Sequence, residues 1–434
     1  MSTSRPLFVP SEDPVGENPF STDKFNRLPL AGVLNGYLKR LKFGAVIAID
    51  AQWGEGKTWF ALNWKKMLND EGHTAIYIDA FEADYIEDPF SIIAGEVQAV
   101  IQSSPQRSSF ISRAANVALA IAPTALKIAV RGTGKVLLGI SDLDGTIKDG
   151  VEKIFENTEE SLGKIFEEKI KNYNDDKKSI SAFRDALSSF AGSLESPLVV
   201  MIDELDRCKP EFSVKLLERI KHFFNVPNVV FILLMNKRQM HNAIKGVYGE
   251  ATDAHLYLEK FLNFTFVLEP PKQEHIRPFV DHILKKYDIV QDNQVDQYVS
   301  GICDLSAAFK MTSRQLERAI ALLALAYPFQ TGGILLAELA ILKTCRPDLL
   351  EGLLNSEVSS IDQIIALLYP YRSNKNSTHF EGWIEFLIAV HQAQAEPSEG
   401  DATKHLQQMF QTNKHAVTRD YRRFVSLLNM LPRS

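Results

Sequence analysis

A glycine-rich stretch with one lysine and one threonine, A-Q-W-G-E-G-K-T at residues 51–58, has the residue types of a phosphate-binding loop. Its glycines let backbone N–H groups turn toward an anion, and a helix that begins near Lys57 would direct its positive end at the same point. In such a loop the lysine reaches the β- and γ-phosphates, and Thr58 ligates Mg²⁺. Ala51 replaces the usual first glycine, so the loop must begin in a conformation that alanine can adopt. The alternative is a glycine-rich turn between a strand and a helix, with a solvated lysine.

Acidic residues crowd the end of a second apolar run, V-V-M-I-D-E-L-D-R-C at residues 199–208. Unpaired buried carboxylates are costly, and a divalent cation removes that cost. We therefore expect Asp203 to bind Mg²⁺, directly or through water, and Glu204 to polarise the water that attacks the γ-phosphate. The alternative is an acidic strand end that is solvated in a loop. The glycine-rich loop and the acidic stretch each follow a buried strand, which argues against a chance occurrence of both. We therefore expect them to form one shared site for a nucleotide and a metal ion.

The elements that must position these residues are short apolar runs, typical of strands buried on both faces of a parallel sheet. The strand at 43–50 precedes the glycine-rich loop, and a helical run from Lys57 to Asn69 follows it. A strand at 74–80 then completes a βαβ unit. Further strands are predicted at 197–203, 228–236 and 264–268.

Hydrophobic periodicity divides the chain into three parts. Residues 1–19 are rich in proline, serine and acids, which predicts an extended arm. Residues 20–271 contain all the predicted strands and a helical insertion at about 90–195, which is longer than a crossover requires. From residue 272 to 434 only helical periodicity remains, which predicts an all-helical C-terminal domain. Its predicted helices are 275–287, 293–308, 312–327, 333–345, 360–369, 380–393, 401–412 and 417–431.

The composition is typical of a soluble globular protein, with 45% hydrophobic and 24% charged residues in a chain of 434. The 48 basic and 54 acidic residues give a net charge of −6, so no global positive field favours nucleic acid. The cysteines are far apart and too few for a disulfide framework, which indicates a reducing compartment and packing roles. These cysteines are Cys208, Cys303 and Cys345.

The most membrane-like stretch, residues 114–140, is interrupted by Pro123, Lys127, Arg131 and Lys135. It lacks the ~20 apolar residues needed to cross a bilayer, so no transmembrane segment is predicted. The three cations could touch anionic lipid, nucleic acid or an acidic partner, but we prefer a solvated helix face. Because the amino end lacks the apolar core of a secretory signal, we expect a cytoplasmic protein.

Several strings in the chain resemble the KAP P-loop NTPases. They are W-G-E-G-K-T at 53–58, I-D-E-L-D-R-C-K-P-E at 202–211, V-P-N-V-V-F-I-L-L-M-N-K at 226–237 and Y-L-E-K-F at 257–261, flanked by D-K-F-N-R-L-P-L-A at 23–31 and T-S-R-Q-L-E-R at 312–318. The resemblance covers roughly residues 20–330. It implies an α/β fold, the additional-strand P-loop NTPase, with a mostly parallel sheet in which a third strand separates the two motif strands. It also implies a helical lid after the sheet, and the helical insertion predicted at about 90–195 falls between the two Walker motifs.

The resemblance assigns roles to individual side chains. Lys57 and Thr58 match the Walker A pair, and Asp203 and Glu204 match the Walker B acids, although the family usually has Asp at the position of Glu204. The residues expected to bind ATP are Trp53, Gly54, Glu55, Gly56, Lys57, Thr58 and Trp59. The expected Mg²⁺ ligands are Thr58 and Asp203, and the expected catalytic residues are Lys57, Glu204, Asn236 and Arg314.

Three of the polar residues, Asn236, Arg314 and Arg207, have more than one possible role. Asn236 ends a predicted strand where a γ-phosphate sensor would sit, or it caps the following helix. Arg314 resembles a lid arginine that reaches the nucleotide, or it lies on the surface of an amphipathic helix. Arg207 senses nucleotide or forms a structural ion pair. Arg207 and Arg238 are also the candidates for an arginine that acts on a neighbouring subunit.

The leading hypothesis is a cytoplasmic Mg²⁺-dependent ATPase that turns nucleotide occupancy into a change of shape or into assembly with partner proteins, a homo-oligomer included. One alternative is a nucleotide-gated scaffold or switch with little turnover. Another is a motor stimulated by nucleic acid, which the absence of a basic excess disfavours. The resemblance further implies bacterial proteins that serve in defence against phage, with partner subunits.

Overall fold

The computed structural model describes only part of the chain, in segments separated by gaps. These segments are 15–41, 43–86, 88–101, 110–114, 116–117, 178, 180–221, 223, 225–287, 295–326, 333–355, 357–371, 387–388 and 391. The middle of the predicted insertion, the cations of the 114–140 stretch and the predicted helices beyond residue 391 lie outside them, as do residues 1–14 of the predicted arm.

A parallel sheet of five strands forms the centre of the N-terminal part. Its strands are β1 (Ala45–Asp50), β2 (Ala75–Asp79), β3 (Leu198–Asp203), β4 (Val229–Met235) and β5 (Phe264–Val267). Their order is β2-β3-β4-β1-β5, and every neighbouring pair is parallel. Strand β4 lies between the two motif strands, β1 and β3, which confirms the additional-strand order that the resemblance implied. Both motifs therefore begin at the same edge of the sheet.

Helices cover both faces of this sheet. Helices before and between the strands include α1 (Leu28–Arg40), α2 (Lys57–Asp70), α3 (Phe90–Val100), α4 (Pro210–Lys221), α5 (Lys237–Tyr248) and α6 (Ala254–Glu259). Alternate residues of β1 belong to opposite apolar clusters, with Val46 and Ala48 in one and Ile47 and Ile49 in the other. Helices α1 and α2 contribute to the second cluster, while α3 and α4 contribute to the first. Burial on both faces explains why these strands are apolar at nearly every position.

Beyond β5 the described residues form helices and the turns between them. These helices are α7 (Gln273–Lys286), α8 (Val295–Ala308), α9 (Ser313–Ala326), α10 (Gly333–Cys345), α11 (Pro347–Leu354) and α12 (Val358–Leu368). They share a third apolar cluster, which runs from Val280 to Ile388 along the chain. The all-helical character expected for this part holds for the residues that are described.

Two helices, α6 and α11, were not predicted from the sequence, because they are too short to show hydrophobic periodicity. Helix α6 has six residues and is preceded by its N-cap Asp253, whose carboxylate accepts the N–H of Leu256. Helix α11 has eight residues and begins with Pro347, a residue that suits the first turn of a helix. Helix α4 also begins with a proline, Pro210.

Helices found among the described residues are too short or too polar to span a lipid bilayer. The thiols are free, with Cys208 and Cys303 buried and Cys345 partly buried. Burial raises the pKa of the Cys208 thiol to about 12, so this side chain stays protonated and packs as an apolar group.

Candidate functional site

The loop between β1 and α2 follows a path that its glycines make possible. Gly54 and Gly56 have φ values of +87° and +83°, in the left-handed region that favours glycine. Gly56 is the N-cap of α2. Ala51 is not among the described residues with positive φ, and its N–H still donates to the carbonyl of Met235 at 3.1 Å. Alanine is tolerated at position 51 because the backbone enters the left-handed region of φ only later, at Gly54.

The Lys57 ammonium is buried and held by the carbonyl groups at the start of the loop. It donates to the carbonyls of Ala51 at 2.9 Å and Gln52 at 3.3 Å. Burial lowers the pKa of Lys57, while the nearby carboxylates of Asp206 and Asp203 raise it. The lysine therefore lies between the glycine-rich loop and the acidic residues that follow β3.

Asp203 is fully buried, and both of its carboxylate oxygens accept hydrogen bonds. Tyr77 donates its hydroxyl to Oδ2 of Asp203 at 3.1 Å, and the N–H of Glu204 donates to Oδ1 at 2.8 Å. Burial raises the pKa of Asp203, and hydrogen bonds from Thr58, Glu204 and Tyr77 lower it. The carboxyl group is thus fixed in one orientation at the end of β3.

Glu204 connects the acidic turn with the phosphate loop. Its Oε1 accepts a hydrogen bond from the hydroxyl of Thr58 at 3.2 Å, and its Oε2 lies 2.5 Å from Nε of Arg207. Burial and the charge of Asp203 raise the pKa of Glu204, while Arg207 lowers it. The structure thus shows Arg207 in an ion pair, one of the two roles considered for it.

The two loop tryptophans lie in different surroundings. Trp53 is 45% exposed and donates its indole N–H to Oδ2 of Asp206 in the short 3-10 turn Leu205–Arg207. Trp59 lies on the wall of a cavity beside the loop and packs edge-on against Phe20, with ring centroids 5.6 Å apart. Trp53 therefore joins the loop to the acidic turn, whereas Trp59 faces the space where a ligand would bind.

A cavity of about 370 Å³ lies beside the loop and falls within the usual size range of small-molecule sites. Its wall combines the loop and the acidic turn with the 22–27 segment and parts of α7 and α9. Lining residues from these five parts include Lys57, Glu204, Arg207, Phe25, Phe279 and Arg314. Trp53, Asp203 and Asn236 do not line this cavity.

The 22–27 segment is held against the loop. The Asp23 carboxylate accepts the N–H groups of Phe25 at 3.0 Å and Arg27 at 2.5 Å, which folds the chain just before α1. The Arg27 guanidinium donates to the carbonyl of Glu269 at 2.5 Å and, more weakly, to that of Glu55 at 3.4 Å. Burial lowers the pKa of Arg27. This arginine therefore joins the segment to the loop and to the chain beyond β5.

Helices of the C-terminal part reach the cavity at two places. The rings of Phe25 and Phe279 are in contact, with centroids 4.8 Å apart. At the start of α9, Ser313 and Arg314 both donate to the carbonyl of Gly54. Arg314, one of the predicted site residues, thus lies beside the loop and on the cavity wall.

Asn236 caps a helix in this structure. Its Oδ1 accepts the N–H groups of Arg238 at 3.1 Å and Gln239 at 3.3 Å at the start of α5. Its position at the carboxyl end of β4, between β1 and β3, is the one a phosphate sensor would need. Arg238 is exposed in the first turn of α5.

Sequence reasoning missed four residues of the site: Arg27, Tyr77, Phe279 and Ser313. Arg27 and Ser313 lie within strings quoted for the resemblance, but nothing in those strings says which atoms they contact. Tyr77 is the aromatic residue of the strand T-A-I-Y-I-D-A, and its hydroxyl was a signal that a polar partner lies at the strand end. Phe279 gave no signal, because a phenylalanine in an amphipathic helix is ordinarily a packing residue.

The donor set suits a hard divalent cation. The Thr58 hydroxyl is within hydrogen-bonding reach of the Asp203 carboxylate, and hydroxyl and carboxylate oxygens are ligand types that Mg²⁺ prefers. The described residues contain no cluster of three His, Cys, Asp or Glu side chains that could hold an ion by themselves. Mg²⁺ does not need such a cage, since it is usually bound through one or two protein ligands together with phosphate oxygens and water.

A comparison of the sequence with protein families matches it to the KAP family P-loop domain over residues 29–329. The chain belongs to the KAP family. The matched KAP region begins in α1, includes all five strands and extends beyond α9, so it contains the whole cavity wall except residues 22–27.

Individual relatives of the KAP chain are distant. The Phage T7 exclusion protein of Escherichia coli (strain K12) is 22% identical over 176 residues, which are 39% of this chain and 24% of that protein. The KAP chain thus spans about a quarter of that relative's length. A structure of the Aeropyrum pernix ORC2 protein is 13% identical over 94% of this chain and 87% of ORC2, with a TM-score of 0.35. A DNA replication initiation factor is 12% identical over 94% and 92%, with a TM-score of 0.32.

Proposed function

We propose that this KAP protein is a Mg²⁺-dependent ATPase whose helical part responds to the bound nucleotide. One observation carries the proposal. The hydroxyl of Thr58 and the carboxylate of Glu204, which belong to motifs 146 residues apart, meet at 3.2 Å beside the buried Lys57 on the wall of one cavity. A phosphate-loop residue and an acidic residue have to be this close if they are to act on the same triphosphate.

These residues would act by positioning the reactants and by electrostatic stabilisation, because phosphoryl transfer needs little covalent participation by the protein. Lys57 and the N-terminus of α2 would bind the β- and γ-phosphates. Glu204 would orient the attacking water. Mg²⁺ held by Thr58 and Asp203 would neutralise charge on the phosphate oxygens.

The remainder of the cavity suits the nucleoside. Trp59, Phe25 and Phe279 bring aromatic side chains to its wall, and bases stack favourably on such rings. We take ATP as the nucleotide because of the family resemblance, and competition between nucleotides tests that choice.

We propose residues 20–271 as the NTPase domain and residues 272–434 as the lid and helical domain. The contacts of Gly54 with α9 and of Phe25 with α7 support coupling between them, since both surround the proposed nucleotide site. A response of the helical domain to nucleotide could change its assembly with itself or with partner proteins. The free thiols suit a reducing compartment, so we propose that this work is done in the cytoplasm.

Nucleotide binding and phosphate release by the purified chain test this function. We expect the wild type to bind Mg²⁺·ATP and to release phosphate, and Lys57→Ala to lose at least about 100-fold in affinity, because a buried charge-assisted contact is removed. Lys66→Ala is the matched control, since Lys66 lies on the same helix and pairs with Asp70 near the surface at 3.2 Å. Equal affinity of wild type and Lys57→Ala, or no binding by either, overturns the proposal.

We also propose a role in the exclusion of phage. The support is the similarity to the Phage T7 exclusion protein, 22% identity over 39% of this chain. Phage T7 plated on E. coli cells that express the wild type should form at least about ten-fold fewer plaques than on cells that express Lys57→Ala, because the role requires nucleotide binding. Equal plaque numbers on both strains contradict this role and leave the ATPase proposal to its own test.

A further inference from the structure

The carbonyl of Gly54 accepts two hydrogen bonds from the start of α9. The hydroxyl of Ser313 donates at 2.5 Å, and the N–H of Arg314 donates at 3.3 Å. The hydroxyl bond is short, whereas the amide bond is near the limit of a hydrogen bond. Ser313 is therefore the closer of the two donors, although 259 residues separate it from the loop.

The first turn of α9 does not need the Ser313 hydroxyl for its own cap. Oγ1 of Thr312 accepts the N–H of Gln315 at 3.3 Å, and Oε1 of Gln315 accepts the N–H of Thr312 at 2.9 Å. This reciprocal pair is a capping box, which fixes the beginning of the helix. Because Thr312 and Gln315 already cap α9, the Ser313 hydroxyl remains available to donate to the loop.

The contact between the loop and α9 leaves no room for a side chain at Gly54. A Cβ there would lie 2.9 Å from Cβ of Arg314 and 2.9 Å from Oγ1 of Thr312. The carbonyl of Gly54 and the N–H of Glu55 belong to one planar peptide group, so a hold on the carbonyl also fixes the direction of that N–H. Because Gly54 and Glu55 line the cavity, this peptide is part of the wall that would face phosphate.

We propose that Ser313 is a positioning residue that makes phosphate binding depend on the helical domain. Its hydroxyl holds the Gly54 carbonyl, and through that peptide it holds the loop in the shape that binds a triphosphate. By thermodynamic linkage, a bound triphosphate stabilises the hydrogen bond between Ser313 and Gly54. The first turn of α9 therefore becomes more protected from hydrogen exchange. This inference rests on the proposed function, because it concerns the same nucleotide site.

The test compares Ser313→Ala with Ser313→Thr and with Ser306→Ala, each measured for Mg²⁺·ATP affinity, KM and kcat. Loss of one hydrogen bond corresponds to about a 3- to 10-fold weaker affinity and an equal rise in KM, with kcat changed less than about twofold. Threonine keeps the hydroxyl and should restore affinity to within about twofold. Hydrogen exchange over the first turn of α9 should be faster in Ser313→Ala than in the wild type without nucleotide, and ATP should slow it only in proteins that keep the hydroxyl.

Ser306→Ala is the matched control. The Ser306 hydroxyl is buried in the same helical part and donates to the carbonyl of Cys303 at 3.0 Å, and this residue does not line the cavity. Its loss should lower thermal stability and leave ATP affinity unchanged. Equal affinity of Ser313→Ala and wild type overturns this inference alone, as does an equal loss in Ser306→Ala. A wild type that binds no nucleotide overturns the proposed function and this inference with it.

Discussion

The hydroxyl of Thr58 donates a hydrogen bond to Oε1 of Glu204 at 3.2 Å, across 146 residues of chain. The contact exists because β1 and β3 are parallel members of one sheet with only β4 between them, so both motifs emerge at the same edge. Ligands of open parallel sheets bind beyond the carboxyl ends of the strands. The cavity beside Thr58 is located there.

Gly54→Ala should abolish the fit between the phosphate loop and α9. Gly54 has a φ of +87°, and a Cβ would collide with Arg314 and Thr312. We expect a loss of at least about ten-fold in ATP affinity and a lower melting temperature, because left-handed strain and overpacking act together.

Gly72→Ala separates strain from collision. Gly72 has a φ of +82° and nothing within 4 Å of the added Cβ, so only the conformational cost of about 1–2 kcal/mol applies. Its ATP affinity should equal that of the wild type. If both alanine variants bind ATP equally well, the tight contact at Gly54 has no part in nucleotide binding.

Tyr77→Phe should weaken the dependence on magnesium without changing the fold. The Tyr77 hydroxyl, whose pKa is raised by burial, donates to Oδ2 of Asp203 at 3.1 Å. Outer partners of metal ligands typically contribute about 10-fold or more to metal affinity. A magnesium titration of nucleotide binding should therefore shift to at least several-fold higher Mg²⁺ concentration.

Tyr248→Phe is the control for the loss of a tyrosine hydroxyl. Tyr248 donates to Glu218 on the outer surface and does not line the cavity. Its magnesium titration should match that of the wild type. Identical titrations for all three proteins would show that Tyr77 does not orient Asp203 for a metal.

Much of this site could be predicted from the sequence, because its chemistry is encoded in short local strings. The loop around Lys57 and the acidic turn around Glu204 each carry glycines, cations or carboxylates whose types indicate phosphate or metal. The strands before them are continuous apolar runs, which only a sheet covered on both faces explains. The strand order followed from the family resemblance, since periodicity does not determine which strands are neighbours.

The contacts that close the cavity could not be predicted, because they depend on how distant elements pack. Nothing in the types of Ser313 and Gly54 indicates that they meet, and the same holds for Arg27 and Glu269. Asn236 shows a different limit. One residue type serves equally as a helix cap and as a polar sensor, so its local sequence could not decide between them.

Variants of Asn236 distinguish these two roles. Asn236→Ala removes the acceptor for two N–H groups of α5 and should cost about 1 kcal/mol in the free energy of unfolding, measured in urea. Asn236→Asp keeps a cap of equal rank and should retain stability. Under the sensor role, Asn236→Ala also lowers kcat more than its loss of stability explains. A folded Asn236→Ala protein with the kcat of the wild type would leave only the cap.

Glu55→Gln should change the pH dependence of stability. Burial raises the pKa of the Glu55 carboxyl above its ordinary value of 4.5, although Arg27 and Lys57 lower it. The folded protein therefore keeps this proton at pH values where the unfolded chain has released it, so the contribution of Glu55 to stability falls as pH rises above 4.5. Glutamine has no such dependence.

Urea denaturation without nucleotide measures this effect. The free energy of unfolding of Glu55→Gln relative to the wild type should increase between about pH 4.5 and about pH 7.5. Glu250→Gln, which removes a carboxylate that is 89% exposed, should show no such increase. A difference between Glu55→Gln and wild type that stays constant over this range would place the Glu55 carboxyl in water.

Phosphate release by Glu204→Gln is the most direct test of the central claim, that the phosphate loop and the acidic turn serve one triphosphate. We expect the affinity of this variant for Mg²⁺·ATP to lie within about three-fold of that of the wild type. Its rate of ATP hydrolysis should fall at least about 100-fold, because the group that orients water has lost its charge. Glu211→Gln, at an exposed position in the first turn of α4, should hydrolyse ATP normally. Hydrolysis by Glu204→Gln at the rate of the wild type would show that the acidic turn does not act on the triphosphate bound by the phosphate loop.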